Sequence, residues 1–343
     1  MKLEMVSKFL KTSLIFSIVL SISSCGSNAN IAKVRQFALL AKSAEEELPK
    51  IANDVHLSCL REARYRAVSI SAPLADPKNS VLKQALLRNS LINSNNEKDI
   101  GDRLEQRTDA QKKCDEITRK LGPMMRQGNG IVVAYIKRLG ELASGERINL
   151  DPEFDELKVN AEELSSKLSN GSFKPEQVTA GIGILNFLVT GILNDKILNT
   201  FSEVISSVDR PFQTYCQGLA TVVERVYINT YLSNEETALD NYYKDYIRDI
   251  LTIKTTEAPS GLSLVEPLLS LDDRWNAEKD KLQNKRDLAY SYIELLRGIT
   301  AIHHELAQMY IKGDKPDNQE ANKMLEKTTK SLNDFVDKAH KLP

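Results

Sequence analysis

"LSLVEPLLSLDDRWNAEKDKLQNKRDLAYSYIELLRGITAIHHELAQMYI", residues 262–311, carries two interleaved apolar series at seven-residue spacing. One runs through Leu264, Leu271, Tyr292, Ile299 and Leu306 and is interrupted by Glu278 and Lys285. The other runs through Leu268, Trp275, Leu282, Ala289, Leu296, His303 and Tyr310. A seam of this period, held over so many repeats, marks a long helix packed on its neighbours at a shallow angle. At 1.5 Å per residue such a helix is a rod of roughly 70 Å, and other helices must lie beside it to cover its seam.

The flanking sequence supplies them. Residues 318–342 place Ala321, Leu325, Thr328, Leu332, Phe335 and Ala339 on one helical face. Upstream, Asp209-Arg210-Pro211 has the form of a helix start, and Phe212, Tyr215, Leu219, Val222, Val226 and Tyr227 follow at helical spacing. That face continues through Leu239, Tyr242, Tyr246 and Ile250, with a break expected at Ser233-Asn234. Further helices are expected over 152–168 and from Pro175 onward.

In the first half, Phe37, Ala41, Ala44, Leu48, Ile51, Val55 and Cys59 form one stripe, which Pro49 should kink or restart. Pro73 and Pro77 end that run, and a short helix is expected near 80–89. Helix resumes near Ile100 with Leu104, Cys114, Ile117 and Leu121, is punctuated by Gly122-Pro123 and Gln127-Gly128-Asn129-Gly130, and finishes over 131–143. Hardly any stretch alternates as a strand would. The expected fold is all-α: an elongated bundle of long, largely antiparallel helices over residues 31–343, with lobes at 31–147 and 148–343.

One segment resists this simple account. In "TAGIGILNFLVTGILNDKIL", residues 179–198, the helix is apolar on every side from Ala180 to Leu193 except at Asn186 and Thr190. Such a helix is either the buried centre of a bundle or a membrane-contacting element. Its fourteen residues are too few to span a bilayer, which takes roughly 20. Under the core reading Ile182, Ile184, Leu185, Phe187, Leu188, Val189, Ile192 and Leu193 pack inside; under the alternative they touch lipid, as in a membrane-active, pore-forming-like protein.

At the other extreme, "MKLEMVSKFLKTSLIFSIVLSISSC", residues 1–25, has a basic leader of Lys2, Lys8 and Lys11 and then an apolar run from Leu14 to Ile22. A basic region, a short apolar region and small residues before a cut site describe a secretory signal, here residues 1–24. Ile22-Ser23-Ser24-Cys25 resembles the lipobox of bacterial lipoproteins. The resemblance implies attachment of diacylglycerol to Cys25, cleavage before it and acylation of the new amino terminus. Inner-membrane lipoproteins usually carry Asp at the next position, where this chain has Gly26, so outer-membrane residence is favoured in a host with two membranes. Residues 25–30 then form the lipidated cysteine and a short tether that holds the body against the membrane.

A formal net charge of −1 over 343 residues leaves no concentrated basic footprint for nucleic acid. With Cys25 assigned to lipid, Cys59, Cys114 and Cys216 remain, enough for one disulfide in an oxidising envelope. Cys59 with Cys114 is the favoured pair, because both would lie at similar heights on two antiparallel helices.

Catalytic patterns are missing. His56 and Cys59 could share a metal, but no second close pair joins them, and zinc sites usually need three or four ligands. His303-His304-Glu305 matches neither HExxH nor the ExxH of di-iron bundles. His303 falls in the seam and should be a core residue, His304 a solvated one, and Glu45-Glu46-Glu47 a solvated helix face. Gly181-Ile182-Gly183 lacks the third glycine of a dinucleotide loop, and no GxSxG occurs. Tyr242, Tyr243 and Tyr246 could line a ligand pocket, although Tyr246 suits the core and one of the adjacent pair should reach solvent. The expectation is a non-enzymatic binding or scaffolding lipoprotein, without metal or cofactor, that holds an envelope or external protein partner.

Overall fold

The computed structural model describes residues 26–45, 47–67, 96–144, 174–193, 201–252, 265–312 and 318–341. Cys25, the signal segment and the helices expected over 80–89 and 152–168 lie outside the described residues. The described residues are almost wholly helical and contain no strand. They form α1 (Gly26–Glu45), α2 (Pro49–Ala67), α3 (Asn96–Ser144), α4 (Pro175–Leu193), α5 (Phe201–Val222), a π-helical segment (Val223–Leu232), α6 (Ser233–Thr252), α7 (Val265–Lys312) and α8 (Asn318–Ala339).

The seam predicted for α7 is the spine of the core. Leu271, Leu282, Ala289, Tyr292, Leu296, Ile299, His303 and Leu306 are all buried along it. α8 lays its predicted stripe against α7, with Thr328 packed where Gly298 leaves room and Phe335 against the Tyr292 ring. α1 and α2 form one broken rod, restarted at Pro49, that runs antiparallel to α3. Arg35 donates to the Ala143 carbonyl, Asn129 donates to the Leu48 carbonyl, and Cys59 is bonded to Cys114, so the register holds from end to end. One contiguous core draws on α1 to α3 as well as α4 to α8. The described parts of 31–147 and 148–343 share this one hydrophobic interior.

Several local expectations need correction, each for a tertiary reason. α3 runs unbroken through Gly122-Pro123 and Gly128-Asn129-Gly130. Its glycines serve close helix packing: a Cβ at Gly122 would lie 2.8 Å from the Ala52 carbonyl oxygen, and one at Gly140 would collide with Ala38. α5 likewise runs through Asp209-Arg210-Pro211 without restarting, because the Asp209 carboxylate is engaged by side chains of α7 and cannot cap. At Ser233-Asn234 the chain does not break. It widens into the π segment, where Thr230 and Ser233 hydroxyls donate to carbonyls five residues back, Arg225 at 3.0 Å and Ile228 at 3.1 Å. The wider turn changes which residues face inward, so that Tyr227, Ile228 and Leu232 within it and Ala238, Leu239 and Tyr243 after it are all buried.

Glu47 does not lie on a solvated face. It is buried at the α1–α2 turn, 2.6 Å from the Lys50 ammonium and 3.2 Å from His340 at the end of α8. Ile117, placed among the apolar positions of α3, is exposed, and Thr118 takes the buried position beside it. Finally, residues 26–30, read as part of a short tether, form the first turns of α1.

Candidate functional site

The largest concentration of chemistry in the described residues is polar and buried, in two clusters at different heights of the bundle. The lower one joins α3, α5 and α7. His303, fully buried, sits with Nδ1 3.0 Å from Asp209 Oδ1 and Nε2 2.6 Å from the Tyr135 hydroxyl. His304 on the next position reaches the other Asp209 oxygen at 2.7 Å, and Gln213 donates to the same oxygen at 2.9 Å. Burial alone would raise the Asp209 pKa, but hydrogen bonds from His303, His304 and Gln213 outweigh it and hold it down at about 2. Burial also pushes His303 below its ordinary value, against the pull of Asp209. His303 is therefore a neutral imidazole whose Nδ1–H donates to Asp209 and whose Nε2 accepts from Tyr135.

An Asp–His–Tyr chain has the form of a proton relay, but here its hydroxyl end is enclosed. Tyr135 is wholly buried, rests against the Phe212 ring at 4.9 Å and has its pKa driven well up by burial. What the arrangement does is tie three helices together, with the Asp209, His303 and Tyr135 side chains all hydrogen-bonded. The one free thiol among the described residues, Cys216, lies nearby, and burial pushes its pKa up to about 12, so it is not a thiolate nucleophile at neutral pH.

This cluster makes folding acid-sensitive. In the unfolded chain a histidine titrates near 6.5, whereas His303 in the fold titrates lower, so the unfolded state takes up the proton first. Stability present above pH 6.5 is lost as pH falls below it, and Asp209 adds a further loss between about 3.8 and about 2. Thermal unfolding followed by circular dichroism should show Tm falling from pH 7 to pH 5, with a shallower fall in His303→Gln. Equal slopes in the two proteins would remove His303 as the cause.

The upper cluster joins α2, the π segment, α6 and α7. Arg61 bridges Glu235 and Asp54, 2.9 Å from Asp54 Oδ1, and Lys285 stands 3.6 Å from Asp54 and 3.7 Å from Glu235. Ser58 donates to Glu235 and Tyr227 to Asp54, both at 2.6 Å. Two carboxylates and two cations cancel, and each carboxylate also accepts a hydroxyl. Burial lowers the Lys285 pKa, and Asp54 and Glu235 pull it back up. Lys285 is one of the two residues that interrupt the α7 seam, and this network is the reason its charge can occupy a seam position.

Above it lies an aromatic group that closes α2 and α6 onto α7. Tyr242 sits 5.8 Å from Tyr65 and 5.0 Å from Tyr243, and Tyr243 stacks on Trp275, whose indole N–H donates to Asp240 at 2.9 Å. Tyr243 is buried, and Tyr242 and Tyr246 are half-buried against the core. Neither member of the adjacent pair is left in solvent, and these rings contact one another.

Cys59 and Cys114 form a disulfide with Cα atoms 5.7 Å apart. His56, beside it, lies 2.8 Å from the Thr118 hydroxyl and 3.4 Å from Asp115. Among the described residues no group of three or more His, Cys, Asp or Glu side chains could hold a metal.

The apolar segment forms α4. Ala180 and Gly181 are buried, with the Tyr215 ring so close that a Cβ at Gly181 would lie 2.5 Å from it. Ile184 is fully buried and Ile182 partly, whereas Gly183 and Asn186 are exposed. Side chains of Leu185, Phe187, Leu188, Val189, Ile192 and Leu193 lie outside the described residues. Among those described, no helix is long and apolar enough to cross a membrane.

Sequence reasoning named His303 and His304 but not their partners, which stand 94 and 168 residues away. It also missed Asp54, Arg61, Glu235 and Lys285 as a unit. The usable signal was the mismatch itself: a lysine and a histidine at seam positions each require buried partners. No protein-family model matches the chain, and neither a curated protein nor a solved structure matches it.

Proposed function

We propose that the chain is a bacterial lipoprotein. It is exported, acylated at Cys25, and holds a non-enzymatic helical body at the cell envelope as a binding or scaffolding module for a protein partner. The observation that carries this reading is Ile22-Ser23-Ser24-Cys25 directly after a basic leader and a short apolar run. Two or more acyl chains anchor stably where one is marginal. Gly26 after the cysteine favours the outer membrane.

Two features of the fold agree with it. The Cys59–Cys114 disulfide suits an oxidising compartment outside the cytoplasm. The buried polar groups of the two clusters are spent on one another, as in a rigid scaffold, and their hydrogen bonds tie helices together.

The test is to label growing cells with palmitate. Wild-type chain should carry label and sediment with membranes, and Cys25→Ser should lose both. Cross-linking of the membrane-bound protein in intact cells should then give a discrete adduct with an envelope or external protein. Turnover of a substrate that depends on a single side chain of the body would contradict the non-enzymatic reading.

A further inference from the structure

We infer that His303 is an acid-operated latch, at which a proton on the ring parts the start of α5, together with α4, from α3 and α7 while the rest of the bundle stays closed. Acid sensitivity of folding as a whole needs only that His303 be buried. A local opening needs in addition that the parting helices be tied less firmly than the others. The latch is independent of lipid at Cys25.

Geometry singles out this histidine among the four in the chain. Side-chain exposure is 26% at His56, 49% at His304 and 65% at His340, so water reaches these rings in the closed fold. His303 has none. Its ring is covered by Tyr135 of α3, hydrogen-bonded at 2.6 Å, and by Asp209 and Phe212 of α5, the first at 3.0 Å and the second with ring centroids 4.7 Å apart. Water meets the ring only when these helices part. The charged and titratable groups that face it are Tyr135 from α3, Asp209 from α5 and His304 from α7 itself, and the un-ionised Cys216 thiol of α5 acts on Tyr135. Asp209 is already shared by His303, His304 and Gln213. A second ring proton would set an N–H against the Tyr135 hydroxyl in place of the lone pair it donates to, so the closed site holds the neutral ring better than the charged one. Burial pushes the His303 pKa below its ordinary value in the same sense.

The neighbours of α5 are held elsewhere. α3 is bonded to α2 through Cys59 and Cys114, and α7 is tied to α2 and α6 by the Asp54–Arg61–Glu235–Lys285 group, which contains no histidine. α5 before Tyr215 is hydrogen-bonded to α7 through Asp209 and Gln213, both of which meet a histidine. Behind it stands α4, with Gly181 against the Tyr215 ring. Past Val222, α5 runs into the π segment, which Tyr227 pins to Asp54. The start of α5 is thus placed to swing, with α4, about a pinned end. Opening bares Val204, Ile205, Val208 and Phe212, all buried in the closed bundle, so acid uncovers an apolar surface that the neutral form conceals.

The test is native-state hydrogen exchange of the full chain, read peptide by peptide, corrected for the intrinsic pH dependence of exchange and repeated at low urea concentrations to separate local from global opening. Between pH 7.5 and pH 5.0 the opening that exposes amides of 201–212 should become more frequent by up to about thirtyfold, because the charged ring of the open form gains tenfold for each pH unit below about 6.5. That opening should respond little to urea, whereas amides of 281–296 in α7 should exchange through urea-dependent global unfolding. His303→Gln should flatten the pH response, and Tyr135→Phe, which keeps the histidine, should retain it. If His303→Gln does not fold, the wild-type and Tyr135→Phe profiles still decide. Protection of 201–212 that does not change with pH, or that merges with the urea-dependent exchange of α7 at both pH values, would overturn the latch. A full pH response in folded His303→Gln would do the same.

Discussion

Replacing Glu235 with alanine is expected to cost about 3 to 5 kcal/mol of unfolding free energy, the range for removing one partner of a buried ion pair. The reason is what remains behind. Arg61 and Lys285 would share Asp54 alone, and the Ser58 hydroxyl would lose its acceptor. Lys285, already pulled down by burial, would tend to shed its proton. The neighbouring Glu236 gives the control. It pairs with Arg286 at 2.7 Å but is more exposed, so Glu236→Ala should cost no more than about 1 kcal/mol. Urea unfolding at neutral pH, with unchanged m-values, compares the two. Similar small losses in both variants would mean that water reaches the Asp54–Arg61–Glu235–Lys285 group.

Opening the Cys59–Cys114 disulfide is the second large effect. The bond closes a loop with a sequence separation of 55 residues. The chain-entropy relation for that length gives about 4 kcal/mol of stabilisation. Urea midpoints measured with and without a thiol reductant, and in the Cys59→Ala, Cys114→Ala double variant, should shift down together. Coincident midpoints in oxidised and reduced protein would show that the α2–α3 contact holds without the bond. The loss matters for location, since a chain kept in a reducing cytoplasm would lack this staple, whereas an exported one gains it as it folds.

The fold was legible in the sequence where helices repeat a simple rule. The α7 seam, the α8 stripe and the Phe37-to-Cys59 stripe are all read from spacing alone, because a helix that buries one face must place apolar groups at three and four residues. Misreadings came where a residue with a strong local habit serves a distant partner. Gly122 and Gly128 are turn formers by habit and contact surfaces in fact. Asp209 has the sequence habit of a helix cap and is held instead by His303 and His304. The π segment has no local signature; Tyr227 within it and Glu235 just after it reach partners on α2, Asp54 and Arg61.

The two polar clusters follow the same logic. Their members were visible singly, as a lysine and a histidine out of place in an apolar seam, but spacing along the chain does not say which acid will meet them. The three-dimensional register supplies that. The Cys25 motif is local and so could be read from a few adjacent residues.

The proposed function depends on that motif. The measurement that bears on it most directly is the mass of the amino-terminal peptide of the mature protein isolated from the envelope. A peptide that starts at Cys25 and carries a diacylglyceryl thioether with an acylated amine is the expected result. A mature chain that starts at any other residue, or a Cys25 without lipid, would contradict the proposal.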